Sequence, residues 1–101
     1  MILTSRTYHR PDISVEWHNK VVEEGKTEFI ERLRTEYAND LVLNTVNHDD
    51  DLTVTFTTVW NTRERYEQYK VDPILQVFWA ARDAYNASVG ITADDTVISD
   101  F

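Results

Sequence analysis

The sequence predicts an α+β fold in which helices cover one face of an antiparallel sheet. Three stretches carry that expectation. Apolar residues recur at helical spacing from Phe29 to Tyr37. Two alternating runs, Leu41 to His48 and Leu52 to Trp60, are joined by Asp49-Asp50-Asp51 as a hairpin. A long stretch from Asp72 to Gly90 has both a helix start and a helix stop. At 101 residues the chain (1-101) suits one domain with a modest core, and 42% hydrophobic and 12% aromatic residues argue for a folded globule.

Ile2 to His9 is rich in threonine, aromatic and β-branched residues and ends at the turn-forming Arg10-Pro11-Asp12, which reads as the first strand. Ile13 to Trp17 alternates apolar and polar residues, so it is either a short extended continuation or a first helical turn capped by Ser14. After a polar linker around Gly25, Phe29, Ile30, Leu33 and Tyr37 form the apolar face of an amphipathic helix that Asn39-Asp40 ends. In the hairpin's second strand, Leu52, Val54, Phe56 and Trp60 point into a core, while Thr53, Thr55 and Thr57 point the other way. Asn61 and Glu64, three apart, suggest a capping box opening a short helix that bears Tyr66 and Tyr69. Beyond Gly90, Ile91 to Phe101 reads as a last strand with an acidic bulge at Asp94-Asp95.

The Asp72 to Gly90 helix is the organising element. Asp72 can accept from the free N–H groups of the first turn, and Pro73 at the first helical position has no N–H to leave unpaired. Ile74, Val77, Phe78, Ala81 and Tyr85 form a stripe expected to face the core. Leu75 and Trp79 lie on a neighbouring face, continuing into Arg82 and Asn86. Two apolar faces call for two partners, the second being another copy of the chain, a bound apolar molecule, or a loop of the same chain over Trp79.

Strand, helix, strand, strand, helix, strand is the ferredoxin-like plan, βαββαβ, with a four-stranded antiparallel sheet and both helices on one face. The chain further resembles the dimeric α+β barrel superfamily of antibiotic-biosynthesis monooxygenases. The order of elements covers nearly the whole chain. The carrying motif covers about thirty residues: Trp60-Asn61-Thr62 at a strand end, Glu64 to Tyr69, then Asp72-Pro73 with Val77 and Phe78. RTYHRPD near the start and ARDAYNA in the last helix also resemble small proteins of tailed phages. The superfamily resemblance implies a homodimer with sheet faces pressed together, giving Thr53, Thr55 and Thr57 a mate and placing Leu75 and Trp79 at a contact between chains. It also implies that any ligand lies between helices and sheet. Haem-degrading relatives hold iron through a histidine on the last helix. None occurs from Asp72 to Gly90, which counts against haem.

Composition excludes several classes of function. A net charge of −8 opposes binding to nucleic acid or anionic lipid. The absence of cysteine removes disulfides, thiol nucleophiles and thiolate metal sites. No span approaches the ~20 apolar residues of a bilayer crossing, and no basic segment precedes a long apolar run, so a soluble cytoplasmic protein is expected, in host cytoplasm if phage-encoded. With two glycines there is no phosphate-cradling loop, and no serine sits in a nucleophile elbow. His48-Asp49-Asp50-Asp51 is the most ligand-like run, but consecutive turn residues diverge, so an exposed acidic turn is expected and no metal site. His9 and His18 bracket the Pro11 turn and could approach each other, without a third partner.

What remains is an aromatic set, Tyr8, Trp17, Trp60, Trp79 and Tyr85, with Arg6 and Arg82 as orienting cations. Tyr8, Trp60, Trp79, Arg82 and Tyr85 are the candidate residues for a small aromatic ligand. Leu75, Trp79, Thr53, Thr55 and Thr57 are the candidate interface. No cofactor and no catalytic set is indicated. The sequence favours a homodimeric accessory or interaction protein. Its rival is a cofactor-independent monooxygenase or small-aromatic-ligand enzyme, distinguished by a closed pocket lined by Tyr8, Trp60 and Arg82.

Overall fold

The computed structural model describes residues 1–101. In chain order the elements are β1 (Ile2–His9), α1 (His18–Val21), α2 (Lys26–Thr35), β2 (Leu41–Asp50), β3 (Thr53–Trp60), α3 (Arg63–Lys70), α4 (Pro73–Val89), β4 (Thr92–Ala93) and β5 (Val97–Asp100). The sheet runs β2-β3-β1, with β4 and β5 both antiparallel to β1 on its free side. The single last strand expected from sequence is therefore two short strands, five in all. The acidic break falls where Asp94 turns away: its N–H reaches the Thr7 carbonyl and its carboxylate pairs with exposed His9 at 3.1 Å.

Alternation along β1 and β3 divides the sheet as expected. Ile2, Thr4, Arg6 and Tyr8 are registered against Trp60, Thr58, Phe56 and Val54 on the face beneath the helices. The opposite face carries Ser5, Thr7, Thr53, Thr55 and Thr57, all half-buried, with Thr7 and Thr55 hydroxyls 3.0 Å apart. No helix covers it.

Under the helices the core is two clusters. Ile2, Tyr37, Trp60, Tyr66 and Leu75 form one, and Tyr8, Trp17, Val54 and Ile91 form the other. The long helix is rotated from its expected setting: Leu75 is 0% exposed, whereas Ile74 and Val77 are 43% and 49% exposed. Phe78 stays buried on either setting. The tilt that lets Leu75 reach Trp60 and Tyr66 carries Ile74 and Val77 round to the outer side. Leu75 is thus shielded by its own chain and cannot belong to a subunit interface, so the surplus apolar surface once assigned to Leu75 and Trp79 offers no argument for pairing.

Four local features hold the helices in place. Asp72 caps α4 by accepting from the Ile74 N–H at 3.0 Å, and Gly90 ends it at φ 80°. For α3 the cap is Thr62, one residue later than the Asn61 capping box suggests, with its hydroxyl accepting from Arg65 N–H. Gly25, at φ 72°, starts α2 where it crosses α4, and a Cβ there would lie 2.8 Å from the Phe78 backbone nitrogen. Gly25→Ala is expected to destabilise by more than the roughly 1–2 kcal/mol of left-handed backbone strain alone, because helix backbone cannot move aside as a side chain can. Urea unfolding of the variant checks this, and a cost below about 1 kcal/mol would show that the crossing is loose.

Candidate functional site

Helices and sheet do not close completely on each other. Between them lies a cavity of about 520 Å³, within the range of roughly 300–1,000 Å³ typical of small-molecule sites. The sheet supplies Thr4, Arg6, Tyr8, Phe56 and Thr58 as its floor. Phe29 of α2, Tyr66 and Tyr69 of α3, and Phe78, Trp79 and Arg82 of α4 form the walls. Exposed Ile30, Asn44, Val46 and Lys70 mark its open side, next to the edge strand β2.

The space persists because large rings prop one another apart at its rim. Phe29 meets Phe78 and Trp79 at centroid separations of 4.9 and 5.9 Å, and Tyr69 meets Trp79 edge-on at 5.0 Å. At the other end, His18 stacks on Phe56 at 5.1 Å and 24°, with Tyr8 at 5.0 Å. The four-residue α1 delivers this histidine, which is 4% exposed and whose Nδ1 has no hydrogen-bond partner. Burial, aided by the positive charges of Arg82 and Arg6 and opposed by Asp83, pushes its pKa down to about 4. It is a neutral imidazole at neutral pH. Burial also raises the Tyr66 and Tyr69 phenols, which therefore remain hydrogen-bond donors.

Three of the five predicted ligand residues, Tyr8, Trp79 and Arg82, meet at this cavity. Trp60 does not line it: it is fully buried beside Tyr37 and Tyr69, with its indole N–H donating to the Thr58 hydroxyl at 3.0 Å. Tyr85 does not line it either. Its hydroxyl donates to the Glu16 carbonyl, and its ring packs against the Tyr8–Trp17 cluster. His9 and His18 lie on opposite faces of the sheet, His9 with Asp94 and His18 in the cavity. Around the β2–β3 turn the carboxylates diverge: Asp49 accepts from Asn47 and Thr55, and Asp50 from the Leu52 N–H. No group of three or more potential ligands is close enough to hold a metal ion. No helix is long and apolar enough to cross a membrane.

Solved structures with this arrangement are numerous. An antibiotic-biosynthesis-monooxygenase candidate from Nitrosomonas europaea superposes with TM-score 0.65 at 13% identity, over 100% of this chain and 98% of the other. A further such candidate, from Deinococcus radiodurans, gives 0.64 at 15% identity, over 98% and 88%. SnoaB, a cofactor-independent oxygenase from Streptomyces nogalater, gives 0.60 at 11% identity, over 99% and 91%. The chain has the fold of the antibiotic-biosynthesis-monooxygenase-like proteins. No family model and no curated protein matches it in sequence. At such identities the likeness is one of fold, and the activity must be argued from this chain's own cavity.

Sequence reasoning missed His18, Phe29, Phe56, Tyr66, Tyr69, Lys26 and Lys70 as cavity residues. Phe29 and Phe56 read as ordinary core positions, which their periodicity could not distinguish from a wall.

Proposed function

We propose that this protein binds a flat, conjugated aromatic molecule in the cavity between helices and sheet and oxygenates it without a cofactor. The cavity's wall carries the reading: aromatic rings on several sides, and at one end the uncharged His18 imidazole. Ring faces suit a planar ligand. An electron-rich ring activated by loss of a proton can react directly with dioxygen. A ring CH₂ then becomes a carbonyl, with the second oxygen atom leaving as water. His18 is the one group on the wall with a free basic lone pair at neutral pH, and it holds the proton. Its basicity rises as the ligand becomes an anion.

Tryptophan fluorescence titrated with flavins, quinones, polyphenols and haem tests binding, and dioxygen uptake with reduced polyphenols tests turnover. Saturable quenching by at least one planar compound is expected, and unchanged fluorescence across the panel would remove the cavity as a site. For His18→Gln the quenching should persist while uptake falls by about 10²-fold or more. Equal uptake by the variant would relieve His18 of its role. Ile30→Trp, at the open side, should block both readouts without touching the core.

The uncovered face of Ser5, Thr7, Thr53, Thr55 and Thr57 supports a homodimer formed sheet against sheet. Only monomer at micromolar concentration in sedimentation would defeat that assembly. That face, the cavity's open side and the absence of Trp60 from its wall favour a non-catalytic interaction protein, whereas the aromatic cavity itself favours a bound ligand.

A further inference from the structure

The charge of the cavity wall is opposite to that of the molecule. The chain carries 18 acidic and 10 basic residues, yet four basic residues, Arg6, Lys26, Lys70 and Arg82, line the cavity and no acidic residue does. Three of the four are coupled to its aromatic surface. The Arg6 guanidinium lies 5.3 Å from the Tyr8 centroid, Arg82 lies 5.9 Å from Trp79, and the Lys70 ammonium lies 5.1 Å from Tyr66.

Their neutralisation is incomplete and comes from outside. Lys70, Lys26 and Arg82 pair with Glu67, Glu23 and Asp83, carboxylates that are 49–78% exposed and off the cavity wall. Arg6 has no carboxylate partner. It donates to the Asp94 carbonyl at 3.2 Å and to the Tyr8 hydroxyl at 3.4 Å. Half-buried and facing the cavity from the sheet floor, it is a positive charge awaiting a counter-ion. Buried His18 lines the same cavity, its pKa lowered first by burial and then by the positive charges of Arg82 and Arg6 against Asp83.

We propose that the ligand of this cavity is an aromatic oxyanion, a carboxylate or phenolate on a flat ring, held at the end of the cavity marked by Arg6, His18 and Arg82. This deepens the function proposed above and rests on the same cavity. Positive charge on the wall gives an anion a local attraction that the acidic molecule as a whole denies it. The protonated Tyr66 and Tyr69 phenols, and the one hydroxyl proton left over from the Thr4–Thr58 hydrogen bond, add donors and no competing negative charge. Guanidinium is suited to either oxyanion, because its planar fork can donate two parallel hydrogen bonds.

The test compares probes of one ring system and different charge on the wild-type protein: naphthoate, nitronaphtholate and the neutral naphthamide, by fluorescence quenching at neutral pH. At least one anion is expected to bind about ten-fold or more tightly than the amide. Preference for naphthoate identifies a carboxylate ligand and preference for nitronaphtholate a phenolate. Raising the salt concentration should shrink the difference. Arg6→Gln should reduce it several-fold, and Arg6→Lys should restore part of it. Equal binding of anion and amide would overturn the charge inference and leave the aromatic cavity standing. No binding by any of the three would remove both.

Discussion

Asp72→Ala is expected to cost about 2–5 kcal/mol of stability, more than removal of an ordinary helix cap. The carboxylate is 5% exposed and does three jobs. Oδ1 accepts from the Ile74 N–H, while Oδ2 accepts from the Tyr37 hydroxyl at 2.6 Å and from Arg32 Nε at 2.8 Å. Burial alone would raise its pKa, but the bonds from Tyr37, Arg32 and Ile74 more than offset that and hold the carboxyl below its usual range. Losing the cap costs roughly 0.5–2 kcal/mol. The buried Tyr37 hydroxyl, left without an acceptor, adds about 1–3 kcal/mol. Arg32 is one-third exposed and can rehydrate, so it adds little. In a domain of this size the melting temperature should fall on the order of 15 °C. A fall of only a few degrees would mean the network is incidental. In a Tyr37→Phe background the same alanine should cost less, by roughly the hydroxyl's share, and strict additivity would contradict the coupling.

The same residue shows why the fold was so legible. Asp72-Pro73 and Gly90 are local signals, acting within one helical turn, and the helix runs from Pro73 to Val89 between them. β1 and the hairpin strands likewise follow from alternation and from the acidic break between them, although β2 runs on through Asp49 and Asp50 and the turn itself is Asp51-Leu52. Rotation of α4 about its axis was not legible. Ile74 and Leu75 are adjacent and equally apolar, so periodicity permits either stripe to face inward. The choice was made by Trp60 and Tyr66, which come from elsewhere in the chain and leave a slot that Leu75 fills.

The site was legible in part for a related reason. Tyr8 and Arg6 follow from strand alternation, and Trp79 and Arg82 from helical spacing, so four of its residues were on the page as candidates. Trp60 was drawn to the same list by its size, but Tyr37, Tyr66 and Leu75 close over it and make it core rather than wall. A cavity is a failure of packing between distant elements, and no local pattern encodes the space that Phe29, Tyr69 and Trp79 leave open.

Below neutral pH the protein should lose stability through His18 before its carboxylates matter. Its unfolded pKa is 6.5 and its folded pKa about 4, so between those values the unfolded chain binds a proton that the folded one does not. Each step down in pH therefore favours unfolding, with a limiting slope of about 1.4 kcal/mol per unit and a total of about 3 kcal/mol. The contribution is fully present above pH 6.5 and gone below about 4. Asp72 acts in the same direction but only below its unfolded value of 3.8, so the two windows separate. Urea midpoints measured across this range, for the parent and for His18→Phe, make the test. Phenylalanine keeps the stack on Phe56 and removes the titrating nitrogen, so the variant's stability should be nearly flat across the window. A variant that retained the full acid slope would place the proton elsewhere. An aromatic anion filling the cavity should flatten the parent's slope too, because its charge opposes that of Arg6 and Arg82 and lets the folded protein keep a proton on His18 to higher pH.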